Sequence, residues 1–247
     1  MKPVLIFILI LLIFLVYKKF TEKYMNEPYI TVHTAAGLNN RIQVLLSYLY
    51  KANKEYKKLK IVWIPNDQCP DRFDNLFENI DNVEIIYDTY TENIDYKNEW
   101  DKENTDYIDA NYYSLLKPVE SIQKEIDNTK LILGNIYIAC HIRRTDALTH
   151  HGYKHHITSD DDYIEFIDQY PKELKIYIAT DCRDTQQKFI DIYGNRMVYK
   201  KIEKTNELRQ TSLQDAVKDM YVCAGAKYFM RSFGTFSDTI EHLRNIK

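Results

Sequence analysis

The stretch IYIACHIRRTD, residues 136–146, joins a run of β-branched and aromatic residues to an abrupt charged end. The apolar part predicts a strand buried on both faces of a sheet. Ligands of open α/β sheets bind at the carboxyl ends of the strands. The guanidinium groups of Arg143 and Arg144 suit a diphosphate at that place, and Asp146 would orient one of them. A surface salt bridge at a strand end is the alternative interpretation.

Strand-like and helix-like segments alternate on both sides of this stretch. Besides the central strand, we expect strands at residues 29–33, 59–64, 83–87, 174–180, 197–199 and 226–230. We expect helices at 42–56, 118–133, 160–170, 184–193, 213–225 and 236–244, and irregular structure at 88–111. Strict alternation predicts an α/β fold with parallel sheets and helices on both faces, with about three strands in the first half.

The overall charge argues against a nucleic-acid partner. The 247 residues carry 33 Lys and Arg against 36 Asp and Glu, a formal net charge of −3, so there is no global basic field. Carboxylates dominate residues 67–109. We interpret this excess as a solvated, loop-rich face, and an acceptor-binding role is the alternative.

Cysteine and histidine residues give no strong metal signal. Cys69, Cys140, Cys182 and Cys223 are widely spaced and match no zinc pattern. Four free thiols are the favoured interpretation, with a Cys140–Cys182 disulfide as the alternative. Histidines at positions 150, 151, 155 and 156 are interpreted as an exposed loop, and a metal-binding group is the alternative.

The N-terminal residues have the pattern of a membrane anchor. Residues 4–17 are an apolar run with lysines on both flanks, and no Ala, Gly or Ser precedes Ala35. A cleaved signal peptide needs small residues at its cleavage site, so an uncleaved signal anchor is favoured. We expect an anchor or transmembrane helix at residues 1–20, a stalk at 21–28 and a single-pass membrane protein. Its location would be Golgi-like, in the secretory pathway, in a eukaryotic or virus-infected cell.

Four motifs at the ends of predicted strands stand in a fixed order. They are GLNNR at 37–41, HIRRTD at 141–146, YIATD at 177–181 and SFGTFS at 232–237. The set resembles the superfamily of GDP-fucose-dependent fucosyltransferases, which includes alpha-1,6-, alpha-1,2- and protein O-fucosyltransferases. The alpha-1,6 enzymes are the most similar. The resemblance covers most of the chain from Tyr29 onward and is sharpest from Ile136 to Leu243.

The resemblance implies a GT-B-like architecture, with two Rossmann-like halves facing a cleft. Residues 29–117 would form the acceptor side, and residues 118–247 would bind the GDP-sugar donor. No metal is implied, because guanidinium donors can stabilise the leaving GDP. GDP-fucose would be the donor substrate, and a glycan or glycoprotein would be the acceptor.

The resemblance also assigns roles to individual residues. Arg143 would hold the diphosphate and stabilise the leaving GDP, and Asp219 would pair with the guanine edge. His151 falls near an acid of the alpha-1,6 enzymes and is the candidate general base, since Cys182 stands where a second acid often follows Asp181. The predicted donor-binding residues are Gly37, Asn39, Asn40, Arg41, His141, Arg144, Asp146, Asp181, Asp219, Ser232, Phe233, Gly234, Thr235 and Ser237.

The function predicted from the sequence is a membrane-anchored, inverting transfer of fucose from GDP-fucose to a glycan or protein hydroxyl. One rival is a metal-dependent GT-A glycosyltransferase that holds Mn²⁺ or Mg²⁺ with Asp160, Asp161 and Asp162. That triplet is predicted to begin a helix, whereas the metal-binding acids of such enzymes follow a strand. The other rival is a non-catalytic family member that binds a nucleotide sugar or a glycan.

Overall fold

The computed structural model describes residues 29–88, 94–98, 110–149, 157–203 and 210–246. Its strands are β1 (Tyr29–Thr34), β2 (Lys58–Trp63), β3 (Val83–Ile86), β4 (Tyr96–Asn98), β5 (Ile138–Ile142), β6 (Ile176–Thr180), β7 (Met197–Val198) and β8 (Tyr228–Met230). Its helices are α1 (Leu38–Lys54), α2 (Glu120–Leu133), α3 (Thr145–Thr149), α4 (Asp160–Asp168), α5 (Arg183–Tyr193), α6 (Leu213–Gly225) and α7 (Thr235–Arg244). Short 3₁₀ turns occur at Phe73–Asn75, Ala110–Leu115 and Gly194–Arg196.

The strands form two parallel four-stranded sheets with the same topology. The order is β3-β2-β1-β4 in the first sheet and β7-β6-β5-β8 in the second. In each sheet the chain adds two strands on one side of the first strand and then crosses to its other side. The order therefore reverses between β1 and β4, and again between β5 and β8. A ligand crevice is expected outside the carboxyl ends of the strands at such a switch point.

The central strand β5 is buried on both faces, as its apolar sequence predicts. Ile138, Cys140 and Ile142 pack in one core with residues of α4 and α5. Ala139 faces the other core, which includes residues of α6 and α7. Because both faces are covered, the strand is fixed, and the residues that follow it are held at a defined place on the sheet edge.

The second core also joins the two halves of the chain. It contains residues of α1 as well as residues of α6 and α7, and α1 contacts α7. The ring of Tyr113 stacks on His242 of α7, with 4.5 Å between centroids. The hydroxyl of Tyr221 donates a hydrogen bond to the carbonyl oxygen of Leu116.

Two elements differ from the sequence-based expectations. Strand β4 lies within residues 88–111, which were expected to be irregular, and gives the first sheet four strands rather than three. Its sequence, YKN, has no apolar run; pairing with β1 and the hydrogen bond from Thr31 N to Asp95 Oδ2, 2.7 Å, hold this segment instead. Helix α3 was not predicted either, because its five residues are too few to show a period.

The prediction of a single-pass membrane protein is contradicted. In the described ranges, no helix has both the length and the apolar character needed to cross a membrane. The predicted anchor and stalk, residues 1–28, lie outside the described residues.

All four cysteines are free. Cys69, Cys140 and Cys223 are buried, and Cys182 is half-buried at the N-cap of α5. Free thiols were the favoured interpretation of the sequence, and the alternative Cys140–Cys182 disulfide is not formed.

Candidate active site

The HIRRTD and SFGTFS motifs meet at the switch point of the second sheet. Arg143 follows the end of β5, and Ser232 lies beyond the end of the neighbouring strand β8. The backbone N–H of Arg143 donates to Ser232 Oγ at 3.4 Å. The backbone N–H of Ser232 donates to Ser237 Oγ at 3.1 Å, which ties the loop to the first turn of α7. Two motifs separated by almost ninety residues therefore form one loop cluster.

Arg143 is directed at the beginning of helix α7. Its Nε donates to Asp146 Oδ1 at 2.8 Å, and its Nη2 donates to Asp146 Oδ2 at 2.6 Å. Gly234 is the N-cap of α7, at φ +109°, and a Cβ there would lie 2.7 Å from Arg143 Nη1. The positive end of a helix dipole and a guanidinium both attract anions. Thr235, the first residue of α7, is half-buried beside them.

His141 fastens β5 to α7. Its ring is buried, stacks on Phe236 at 4.5 Å between centroids, and forms a hydrogen bond of 2.7 Å between Nδ1 and Ser237 Oγ. Burial lowers the pKa of His141 to about 3, and the charges of Arg143 and Arg231 act in the same direction. The imidazole is therefore neutral and shapes the pocket through packing.

Arg144 points away from Arg143. It is buried, and its Nη2 donates to Asp160 Oδ1 at 2.6 Å, while the other oxygen of Asp160 accepts from Lys188 at 2.8 Å. The two adjacent arginines thus have different surroundings. Arg144 anchors the strand end to α4, and Arg143 is the one that stands at the N-terminus of α7.

Asp181 caps helix α3. Its Oδ1 accepts the backbone N–H of Arg144 at 2.7 Å, and its Oδ2 accepts both the N–H and the hydroxyl of Thr145, at 3.2 and 2.6 Å. A carboxylate at a helix N-terminus satisfies backbone donors that the helix leaves unpaired. The acid at the end of β6 therefore holds the HIRRTD loop in shape.

A separate pocket lies beside β6, and its lining holds three acidic and three basic residues, Glu203, Asp215, Asp219, Lys200, Lys201 and Lys218. It has a volume of about 200 Å³, and Tyr177, Lys200, Gln210, Lys218 and Asp219 contribute to its walls. Pockets for whole drug-sized ligands are usually ~300–1,000 Å³. The size suits one end of a longer ligand.

Asp219 is half-buried in the wall of this pocket. The hydroxyl of Tyr177 donates to its Oδ1. Desolvation raises the pKa of Asp219 to about 7, against its ordinary value of 3.8, and the nearby charge of Lys218 opposes that rise. The carboxylate therefore changes its charge near neutral pH.

The GLNNR motif lies at the carboxyl end of β1 and begins α1. Gly37 is the N-cap of α1, and Asn40 is half-buried in the first turn. Arg41 is fully buried. Its Nε donates to the carbonyl oxygen of Ala36 at 2.9 Å, and its Nη1 donates to that of Ile64 at 2.8 Å. Arg41 thereby joins the ends of β1 and β2.

Asn39 has an unusual environment in the same turn. The side chain is 6% exposed, and its Oδ1 has no hydrogen-bond partner in the part of the chain that the structure describes. A buried acceptor without a donor costs roughly 1–3 kcal/mol, so such groups call for an explanation. A ligand hydroxyl that donates to this oxygen would provide one.

Three predicted residues remain, and two of them belong to the described part of the chain. Phe233 is 41% exposed at the tip of the SFGTFS loop, and Ser237 is buried beneath it. His151 lies outside the described residues. A larger groove of about 610 Å³ is lined by Tyr113, Leu116 and Tyr221 among others, and it contains none of the motif residues. Groove size alone therefore does not locate the site.

Two acids of the triplet in the metal-dependent rival, Asp160 and Asp162, are engaged in protein contacts. Asp160 pairs with Arg144 and Lys188. Asp162 forms a capping box with Ser159 at the start of α4. Within the described ranges, no group of three or more His, Cys, Asp or Glu side chains could hold a metal ion.

Sequence reasoning missed three residues that support the site. Tyr163 donates its hydroxyl to the carbonyl oxygen of His141 at 2.9 Å, Tyr177 holds Asp219, and Lys218 lies beside Asp219 in the pocket wall. The partners of Tyr163 and Tyr177 are distant in sequence, and the burial of Lys218 beside Asp219 depends on the elements that pack around α6. No spacing pattern in the sequence reports such contacts.

Comparison with solved structures identifies the fold. The NodZ alpha-1,6-fucosyltransferase soaked with GDP-fucose aligns with a TM-score of 0.59 and 16% identity, over 88% of this chain and 93% of that chain. The fucosyltransferase NodZ from Bradyrhizobium aligns with a TM-score of 0.57 and 15% identity, over 87% and 93%. POFUT1 in complex with GDP aligns with a TM-score of 0.57 and 12% identity, over 89% of this chain and 95% of that chain.

The sequence comparisons found no counterpart. No family model matches the chain, and no curated protein matches it. The structural likeness rests on both sheets, since it spans almost the whole length of each neighbour. With its two parallel α/β sheets, the chain has a GT-B-like, fucosyltransferase-like fold.

Proposed function

We propose that this protein is an inverting glycosyltransferase that transfers fucose from GDP-fucose to a hydroxyl of a glycan or a protein. The observation that carries the proposal is the position of Arg143. Its guanidinium is aimed by Asp146 at the N-terminus of α7, at the switch point of the second sheet. This is a preorganised place for a diphosphate.

The chemistry of the transfer requires such a site. When the bond between the sugar and the phosphate breaks, negative charge develops on the GDP. Fixed donors that point to this charge stabilise the transition state without reorganisation. Arg143 supplies a guanidinium, and the first turn of α7 supplies backbone N–H groups together with the hydroxyl of Thr235. We assign the catalytic role to Arg143, and we propose that no metal is needed.

The second pocket would select the nucleotide. Guanine presents two adjacent donors, the ring N1–H and the exocyclic amino group, and an ionised carboxylate can accept both. Uracil has no such pair. Asp219 lines a pocket whose size suits a base rather than a whole nucleotide sugar, and we propose that it binds the guanine edge.

The acceptor side is assigned to the first half, residues 29–117, across a cleft from the donor half, residues 118–247. We propose that the buried Oδ1 of Asn39 faces the cleft and accepts a hydrogen bond from a hydroxyl of the donor sugar, because this oxygen has no partner among the described residues. Gly37, Asn40 and Arg41 would maintain the loop around it. His151 remains the proposed general base, because a neutral imidazole can take a proton near pH 7.

The decisive test is nucleotide release from a panel of donors. The full-length protein would be incubated with GDP-fucose, GDP-mannose, UDP-galactose and UDP-N-acetylglucosamine, each with a mixture of glycan and glycoprotein acceptors. We expect GDP release and fucose incorporation with GDP-fucose alone. The stereochemistry of the product at the anomeric carbon tests inversion. Turnover of a UDP-sugar would contradict the proposal, and so would tight GDP binding with no turnover on any acceptor.

A further inference from the structure

The buried lysine beside Asp219 has a role that the proposed function does not yet use. Lys218 is 4% exposed and lies in the wall of the same pocket as Asp219. The two residues are consecutive on α6, so their side chains leave the helix about 100° apart. Both nevertheless contribute to the pocket, which places an ammonium and a carboxylate side by side.

Among the described residues, the ammonium of Lys218 forms one ion pair, so it has donors to spare within the pocket. Its Nζ lies 3.5 Å from Asp215 Oδ1, at the limit of hydrogen bonding. Lys200 Nζ donates to this Oδ1 at 2.9 Å, and the hydroxyl of Ser212 donates to Asp215 Oδ2 at 2.9 Å. A lysine ammonium has three N–H donors, and burying a charge is costly unless it is paired and hydrogen-bonded. An acceptor on a ligand would meet this need.

We propose that Lys218 donates a hydrogen bond to O6 of guanine while Asp219 accepts from the adjacent N1–H and amino groups. The inference rests on the proposed function, because it names a further specificity residue in the donor pocket. The acceptor O6 lies next to N1–H on the guanine edge. A donor and an acceptor side by side on the protein therefore match three consecutive groups of the base.

The pair would reject other bases for a physical reason. Adenine carries an amino donor in place of O6 and a bare acceptor in place of N1–H, so both positions would meet like groups. Hypoxanthine keeps O6 and N1–H but lacks the amino group. Lys218 therefore distinguishes guanine from adenine. Asp219 distinguishes guanine from both adenine and hypoxanthine. A site that hydrogen-bonds its ligand strongly rejects analogues that leave buried polar groups unpaired.

The competing explanation is that Lys218 only balances the charges of Asp215 and Asp219. The two explanations differ in their response to a change at O6. A compensating charge would weaken all guanine nucleotides alike when it is removed. A hydrogen bond to O6 would make the protein sensitive to the identity of that one atom.

The experiment measures GDP and 6-thio-GDP binding by calorimetric titration of the full-length protein and of Lys218→Met. Sulfur is a weak acceptor, whereas the N1–H and amino groups are retained. We expect the wild type to bind 6-thio-GDP about tenfold or more weakly than GDP, the scale of a charged hydrogen bond. In Lys218→Met the ratio of the two dissociation constants should approach one. Because both ligands need the same ionised Asp219, the ratio cancels a change in its protonation.

Lys201→Met is the matched control, since it removes a charge from the wall of the same pocket. It should keep the wild-type ratio. An unchanged ratio in Lys218→Met, with GDP still bound, would overturn the assignment of Lys218 and leave the proposed function intact. Failure of the wild type to bind GDP at all would overturn both. A thermal unfolding curve of each variant verifies that it is folded.

Discussion

Arg143 and Asp146 form a two-point ion pair, 2.8 Å from Nε to Oδ1 and 2.6 Å from Nη2 to Oδ2, with both side chains about one quarter exposed. The pair fixes the plane of the guanidinium. Its third nitrogen, Nη1, is the one directed to Gly234 and the N-terminus of α7. Asp146 therefore acts as a positioning residue for a group that would otherwise sample many rotamers.

Replacing Arg143 with lysine keeps the charge and removes the planar group. Lysine cannot form the two-point contact with Asp146 and also face the helix N-terminus. We expect turnover of GDP-fucose to fall by ~10²-fold or more, the scale observed when one preorganised donor is lost. The measurement is the rate of GDP release.

Arg196→Lys is the control for this substitution, because Arg196 donates to the carbonyl oxygen of Leu174, away from the motif residues. It should keep full turnover. A near-normal rate in Arg143→Lys would mean that the pair with Asp146 is a structural salt bridge.

Gly234 tests whether the position of the guanidinium matters. Gly234 and Gly134 have similar backbone conformations, at φ +109° and ψ 171° and at φ +80° and ψ −175°, where other residues are strained. An alanine Cβ at Gly234 would lie 2.7 Å from Arg143 Nη1, whereas a Cβ at Gly134 would meet nothing within 4 Å.

Both glycine-to-alanine variants should therefore lose stability by roughly 1–3 kcal/mol. Gly234→Ala should also lose turnover, by about tenfold or more, because its methyl group displaces the guanidinium. Chemical denaturation and GDP release are measured for each variant. Equal activity in the two variants would show that Arg143 need not be held against α7.

The periodicity of the sequence predicts most elements of this fold. Every helix and strand predicted between residues 29 and 246 is found, with bounds shifted by a few residues, because the hydrophobic pattern follows burial in each element. Strand β4 and helix α3 were missed. Strand β4 depends on pairing with β1, and helix α3 depends on the carboxylate of Asp181. Both partners are far along the chain, so no local sequence pattern reports these contacts.

The motifs define the candidate site, but they could not separate its two arginines. Arg143 and Arg144 are neighbours in the same motif, yet Arg144 is buried against Asp160 and Arg143 faces α7. The difference follows from the direction in which the chain leaves β5. Similarly, the sequence could not show that Asp160 of the acid triplet pairs with the buried Arg144. Tertiary packing decides these roles.

Asn39 should matter for activity and little for stability. Its Oδ1 is buried without a partner in the described part of the chain, so Asn39→Ala removes a costly acceptor. We expect the free energy of unfolding to change by less than about 1 kcal/mol, and kcat/KM to fall by about tenfold or more. Chemical denaturation and initial rates test the two parts.

Asn53→Ala is the matched control on the same helix, where the side-chain amide donates to Tyr112 on the surface. It should leave kcat/KM unchanged. A strong loss of stability in Asn39→Ala, with normal kinetics, would assign Asn39 to the folding of α1 rather than to a ligand.

Donor turnover should survive metal chelation. Arg143 and the N-terminus of α7 are proposed to stabilise the leaving group without a cation. We expect the rate of GDP release to be the same with and without EDTA. Loss of activity in EDTA that Mn²⁺ restores would favour the metal-dependent alternative. Asp160→Asn distinguishes the metal-dependent alternative from our assignment. If Asp160 is only the charged partner of the buried Arg144, the variant should unfold more easily, by roughly 2 kcal/mol, and keep its turnover. If Asp160 binds a metal ion, turnover should be lost.

The affinity for GDP should depend on pH through Asp219. Only the ionised carboxylate accepts from both guanine donors, and the pKa of Asp219 is raised to about 7. As the pH falls below 7, the protein must lose a proton to bind GDP, and the dissociation constant should rise by up to about tenfold per pH unit. Calorimetric titration between pH 5 and pH 8 measures the slope.

Asp219→Ala provides the control, because the phosphate of GDP titrates near pH 6 on its own. This variant should bind GDP weakly and lose the part of the slope that belongs to the carboxylate. The wild type should also prefer GDP to UDP. Equal affinity for the two nucleotides, or a variant that binds GDP as the wild type does, would remove the guanine assignment.

The same raised pKa has an opposite effect on the nucleotide-free protein. Its contribution to stability is fully present below the unfolded value of 3.8 and is lost as the pH rises through 7, because the folded state holds the proton more tightly. Asp219→Asn imitates the protonated acid and still offers Tyr177 an acceptor. We expect it to unfold at a higher temperature than the wild type at pH 8, with the difference shrinking toward pH 5. A constant difference across this range would mean that Asp219 is ionised throughout, and the pH dependence of GDP binding would then need another source.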